Sequence, residues 1–153
     1  MVRTLNHSEA GFTLIEAVIS VAILSIGFAG VIGLVGVSDQ MLTNSINREA
    51  LTRESNEILD TINSDIDNIM SYQGKNLKTC SALTTPAGKS HQLKRLKKWC
   101  SKVNGKSGIA LANDKRKIHI TKINASNQYV VIVELSNNNG SNSSYVQRVI
   151  NVP

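Results

Sequence analysis

Phenylalanine is missing from every position after Phe28, and tryptophan occurs once, at Trp99. A core built from Ser38 onward must therefore rely on Ile, Val and Leu, which suits a modest folded part leaning on a partner element. Charge is scarce in one place: the run Phe12–Val37 carries a single ionisable residue, Glu16, and three hydroxyl residues, Thr13, Ser20 and Ser25. About 20 apolar residues suffice to span a bilayer as a helix, so this run is long enough to do so. Proline and glycine are missing between Val37 and Gln73, so nothing there interrupts a helix. The histidines, His7, His91 and His119, are scattered. No His/Cys metal spacing, nucleophile elbow or phosphate-cradling glycine loop is present, so the sequence suggests neither an enzyme nor a bound metal or cofactor.

The charges that are present are segregated. Asp39, Glu49, Glu54, Glu57, Asp60, Asp65 and Asp67 face only Arg48 and Arg53 within that stretch. From Lys75 to Lys122, thirteen Lys or Arg stand against Asp114 alone, within a formal net charge of +6. Such separation supports attraction within the chain, between subunits, or to an anionic partner.

Residues 1–11, MVRTLNHSEAG, form a short polar leader ahead of the apolar run. A secretory signal has the opposite order, with its apolar core before the cut. Cleavage at Gly11 would leave the hydrophobic segment on the mature chain. Beyond Val37 the helical pattern continues: Leu51, Ser55, Ile58, Ile62, Ile66 and Ile69 mark one face, extended backward by Leu42 and Ile46, with the acids expected opposite. Gly74 offers a stop. A helix from Phe12 to Tyr72 would be about 90 Å long. Gly27, Gly30, Gly33 and Gly36 recur every third residue. That spacing does not make the i, i+4 small-residue seam of close helix pairs and suits a locally soft helix. Downstream, Gln92–Trp99 suits a short basic helix. Lys117–Ile123, Tyr129–Leu135 and Tyr145–Val152 read as antiparallel strands joined by Asn124–Gln128 and Ser136–Ser144, with Ile109–Ala112 as a short fourth. The fold class is α+β, the apolar stripe of the long helix covering one face of the sheet.

Gly11-Phe12-Thr13-Leu14-Ile15-Glu16, with its leader and apolar run, resembles the type III signal of type IV prepilins and pseudopilins. The resemblance implies cleavage after Gly11 by a prepilin peptidase and N-methylation of Phe12. It also implies that Glu16 pairs with the Phe12 amine of a neighbouring subunit during assembly. A charge in hydrocarbon is costly enough to make Glu16 a functional candidate, although a Glu near a helix start is also favoured by the helix dipole. The stretches Ala22–Gly30, Asn44–Ala50 and Ile58–Ile62 are similar to minor pilins of the PilV, or pilus-modification, type. Gly33 stands where major pilins usually carry proline, and Cys80 and Cys100 precede the main strands, both departures that favour a minor subunit.

The implied organisation is a leader over 1–11, a membrane or filament-core half-helix over 12–37, and an amphipathic half-helix with a globular α+β part over 38–153. The implied partners are the peptidase, other major and minor pilins met through the N-terminal helix, and the inner membrane before assembly. The folded part would be periplasmic first and then extracellular on a pilus. Outside the cytoplasm Cys80 and Cys100 would form a disulfide, whose loop of about 20 residues contributes roughly 3 kcal/mol on the chain-entropy account; in a cytosolic domain they would remain thiols. A type II secretion pseudopilin is an alternative. So is a DNA-binding minor pilin, in which Lys94, Arg95, Lys97 and Lys98 contact phosphates while Trp99 stacks on a base. The plainer alternative is a basic segment that pairs with acids on a neighbouring subunit. Asn142-Ser143-Ser144 fits a glycosylation acceptor pattern that carries little weight in so Asn/Ser-rich a loop.

Overall fold

The computed structural model describes residues 12–123 and 127–152. The leader with Gly11, and positions 124–126 of the connection after Ile123, lie outside the described residues. The chain divides into two compact units, Met1–Leu42 and Thr43–Pro153. One helix, α1 (Leu14–Asn63), contributes to both.

In the first unit α1 stays α-helical through Gly27, Gly30, Gly33 and Gly36. Two of its hydroxyl groups bond back to the helix itself. Ser20 Oγ donates to the Glu16 carbonyl at 2.7 Å and Ser25 Oγ to the Val21 carbonyl at 2.8 Å. Thr13 begins the helix, its carbonyl accepting the Ala17 N–H and its hydroxyl the Glu16 N–H.

The second unit is α+β. A four-stranded antiparallel sheet runs β1 (Lys75–Asn76), β2 (Arg116–Lys122), β3 (Gln128–Asn137), β4 (Asn142–Asn151), in that order across the sheet. Its inner face presents Ile118 and Ile120 from β2, Val131, Val133 and Leu135 from β3, and Ile150 from β4, all buried. The α1 stripe Leu51, Ile58, Leu59 and Ile62 shares this core with Leu96, Trp99 and Val103 of α2 (Ser90–Ser107). The expected cover of the sheet is thus supplied by α1. Polar contacts add to it: Thr52 Oγ1 donates to Ser144 Oγ, and Arg148 pairs with Asp60 at 2.5 Å. A disulfide joins Cys80 to Cys100, tying the segment after β1 to α2.

Several expectations are corrected. The long helix ends at Asn63 rather than Tyr72, and Ile66–Tyr72 winds as a 3₁₀ helix with Asn68 out of helical geometry. The tighter turn places Ile69 and Tyr72 in the core and lets the Asp65 carboxylate accept the Asn68 amide at 2.7 Å. The fourth strand is Lys75–Asn76, reached through Gly74 at φ +67, a backbone state that favours glycine. Ile109–Ala112 is no strand, because Asp114 Oδ2 takes the Leu111 N–H and bends this segment into a turn. The basic helix runs well past Trp99, to Ser107, and ends at Gly108 with φ +75. The buried stripe starts at Leu51; Leu42 and Ile46 are exposed. Asn142 is buried in β4, which closes the glycosylation reading.

Candidate functional site

The apolar half of α1 has a mean hydropathy of 2.6 over its best 18-residue window, and none of that window is buried within the protein. Phe12, Leu14, Ile15, Ile26, Phe28, Ile32 and Leu34 are each well over half exposed. A soluble protein rarely leaves so large an apolar surface uncovered, so this helix requires lipid or other apolar helices around it. By length and composition it is able to cross a membrane. Gly27 leaves a shallow apolar notch flanked by Ile23, Leu24, Phe28 and Val31.

The polar groups of this half are almost all accounted for by the helix itself, since Ser20 and Ser25 bond back to carbonyls one turn earlier. Glu16 is the exception. It sits in the first turn, three residues after Thr13, and its carboxylate has no partner among the described residues. Thr13 and Glu16 have the spacing of a capping box, of which the structure forms one half, the Thr13 hydroxyl accepting the Glu16 N–H.

A signature described as the prokaryotic N-terminal methylation motif matches residues 6–32. The chain carries a type IV prepilin-like signal. The motif indicates a type IV pilin-like or pseudopilin protein, a structural class, made as a prepilin that a peptidase processes and that assembles with other pilins. This signal, followed by an uncovered apolar helix, fits anchoring in a membrane before assembly. No curated protein and no solved structure matches the chain.

In the folded unit of this pilin-like chain, the basic segment does something the charge pattern had left open. Arg95 pairs with Asp65 at 2.6 Å, Lys106 with Glu54 at 2.6 Å, and Lys102 with both Glu54 and Glu57. Three acids of the acidic segment, Glu54 and Glu57 on α1 and Asp65 just beyond it, are thus paired with bases of α2 inside one molecule. The structure corrects the nucleic-acid reading at two residues. Trp99 is buried, with its ring 5.5 Å from that of Tyr72, and cannot stack on a base; Arg95 is already engaged. Lys94, Lys97 and Lys98 are exposed on α2.

Sequence periodicity missed two acids. Glu54 lies three residues after Leu51 and four before Ile58, on the buried face rather than opposite it. Asp65, three residues after Ile62, is a hub. Its carboxylate accepts the Tyr72 hydroxyl at 2.6 Å, the Gln92 amide at 2.8 Å and an Arg95 N–H at 2.6 Å. Burial pushes the Asp65 carboxyl up, but the bonds from Tyr72, Asn68 and Gln92 and the charge of Arg95 outweigh it, holding it below the usual range. Burial and the Asp65 bond push the Tyr72 phenol up to about 12. A depressed folded-state carboxyl stabilises the fold above its unfolded value, about 3.9, and the contribution is lost as pH falls through the lower folded value. The unit should therefore hold constant stability from neutral pH down to about 4 at this site and lose it below, with the loss attenuated in Asp65→Asn; urea midpoints measured across pH 2–7 check this.

Proposed function

We propose that this chain is a minor type IV pilin, a non-catalytic subunit that supports initiation, assembly or modification of a pilus. Cleavage after Gly11 frees the Phe12 amine, which is then methylated. The carrying observation is the uncovered apolar half of α1, in which the hydroxyls of Ser20 and Ser25 are self-satisfied and the Glu16 carboxylate is not. An apolar filament core would leave that charge without water, so a neighbouring Phe12 amine is the complementary group, and the two charges offset each other's desolvation. Minor rather than major status is supported by an α1 with glycines and no proline, and by a disulfide placed ahead of β2–β4. Residues 12–37 serve as anchor and filament core, and 38–153 as the exported part.

Glu16→Gln tests whether the charge of this residue is what assembly requires. Glutamine keeps the size and hydrogen-bonding capacity of the side chain but carries no charge. The variant should insert into the membrane like the parent and drop to background in sheared pili, as read by immunoblot; wild-type incorporation would refute the pairing. The parent chain itself should copurify with sheared pili, and its deletion should reduce piliation. Recovery only with a protein-export defect, and no pilus phenotype, would assign it instead to a type II secretion pseudopilus.

A further inference from the structure

The outer face of the sheet carries a second feature, unconnected with α1. Where β3 turns into β4, a cleft of about 200 Å³ is lined by Asn113, Lys115, Glu134, Ser136, Gly140 and Ser143. Strand register explains the convergence: Ser136 lies opposite Ser143, and Glu134 opposite Tyr145, so these four side chains share the face that points away from the core. The walls are held in place. Asp114, itself 1 % exposed, accepts the Leu111 N–H at 2.7 Å through one oxygen and the Gly140 N–H at 2.9 Å through the other. The Asn113 N–H donates to Asn139 Oδ1, and a Cβ on Gly140 would sit 3.4 Å from the Asn113 carbonyl. A buried carboxylate thus clamps the turn before β2 against the β3–β4 hairpin, whose Asn138, Asn139 and Gly140 all hold positive φ. Such clamping fixes the cleft before any ligand arrives.

The chemistry of the lining selects a ligand class. Lys115 and Glu134 pair at 2.9 Å, so the cleft presents a donor and an acceptor without net charge, which disfavours both free anions and free cations. The Ser136 hydroxyl accepts the Lys115 N–H and retains its own proton to donate, while Ser143 and Asn113 add hydroxyl and amide groups. Tyr145, 61 % exposed, stands beside Ser143 on the same face as an uncovered aromatic surface. The volume lies below the roughly 300 Å³ at which drug-sized pockets begin, and suits one small ring. We propose that this cleft binds one ring of a neutral carbohydrate, its hydroxyls met by Asn113, Lys115, Glu134 and Ser143 and its apolar face by Tyr145.

The test uses the full-length chain in a detergent without a sugar headgroup. Saturation-transfer NMR is run with glucose, galactose, mannose and N-acetylglucosamine, and phosphorus NMR line broadening with inorganic phosphate as the charged comparator. At least one sugar should bind with a Kd of about millimolar order. Tyr145→Ala should weaken it about fivefold or more, and Ser143→Val should also weaken it. Both residues are exposed, so unchanged Trp99 fluorescence and an intact Cys80–Cys100 bond will certify the fold of each variant. The proposal is overturned if no neutral sugar binds, if binding is indifferent to both substitutions, or if phosphate binds there and sugars do not.

Discussion

Replacing Gly11 with alanine or any bulkier residue is expected to leave the chain entirely at its precursor mass. The physical consequence follows from what the leader contains. Arg3, His7 and Glu9 would remain attached to the start of α1. An uncut chain would carry those polar groups toward an apolar filament core, where an unpaired charge costs several kcal/mol. It would also lack the free Phe12 amine that the proposed pairing with Glu16 uses. Membrane insertion should be unaffected, because the apolar run Phe12–Val37 is intact. A single unshifted band in the membrane fraction, and none in sheared pili, is the expected result. Normal processing of such a variant would remove the basis for the cleavage assignment.

The second large effect concerns stability. Asp65→Ala should destabilise the folded unit by about 3–5 kcal/mol, the range for breaking one side of a buried charged network. The change strands the Tyr72 hydroxyl, the Gln92 and Asn68 amides and the Arg95 guanidinium at once. Arg95 is 39 % exposed and water will hydrate it, which pulls the loss toward the lower end of that range. Asp65→Asn keeps an acceptor and should cost less, about 1–3 kcal/mol. Trp99 is the chain's only tryptophan and is buried beside Tyr72, so urea unfolding followed by its fluorescence reports on this junction directly. An Asp65→Ala unfolding curve superimposable on the parent's would show that the 3₁₀ segment is held by packing alone.

Polarity, hydropathy and period-two or helical spacing are local properties, and whatever depends on them was legible in the residues. The inverted order of polar leader and apolar run, the Gly11-Phe12…Glu16 signal, the α1 stripe Leu51–Ile62 and the β2, β3 and β4 strands all fall in this group. So does the α+β class, since strands with one apolar face need a helix to cover them. Tertiary structure decided what depends on partners distant in the chain. Glu54 and Asp65 are acids in an acidic segment until Lys102, Lys106, Arg95, Tyr72 and Gln92 are brought to them. The two-residue strand Lys75–Asn76 is too short to show a period and exists only because β2 offers it an edge. Trp99 sits among lysines in the sequence, yet the helical turn points it into the core and the lysines out. The sheet-end cleft joins Asn113 to Ser143 across 30 positions, by a clamp from Asp114 that no local pattern announces. Local pattern determined the long helix, its apolar run and the three main strands; long-range pairing decided where the helix ends, the two-residue edge strand, which charges are buried, and what the outer face of the sheet presents.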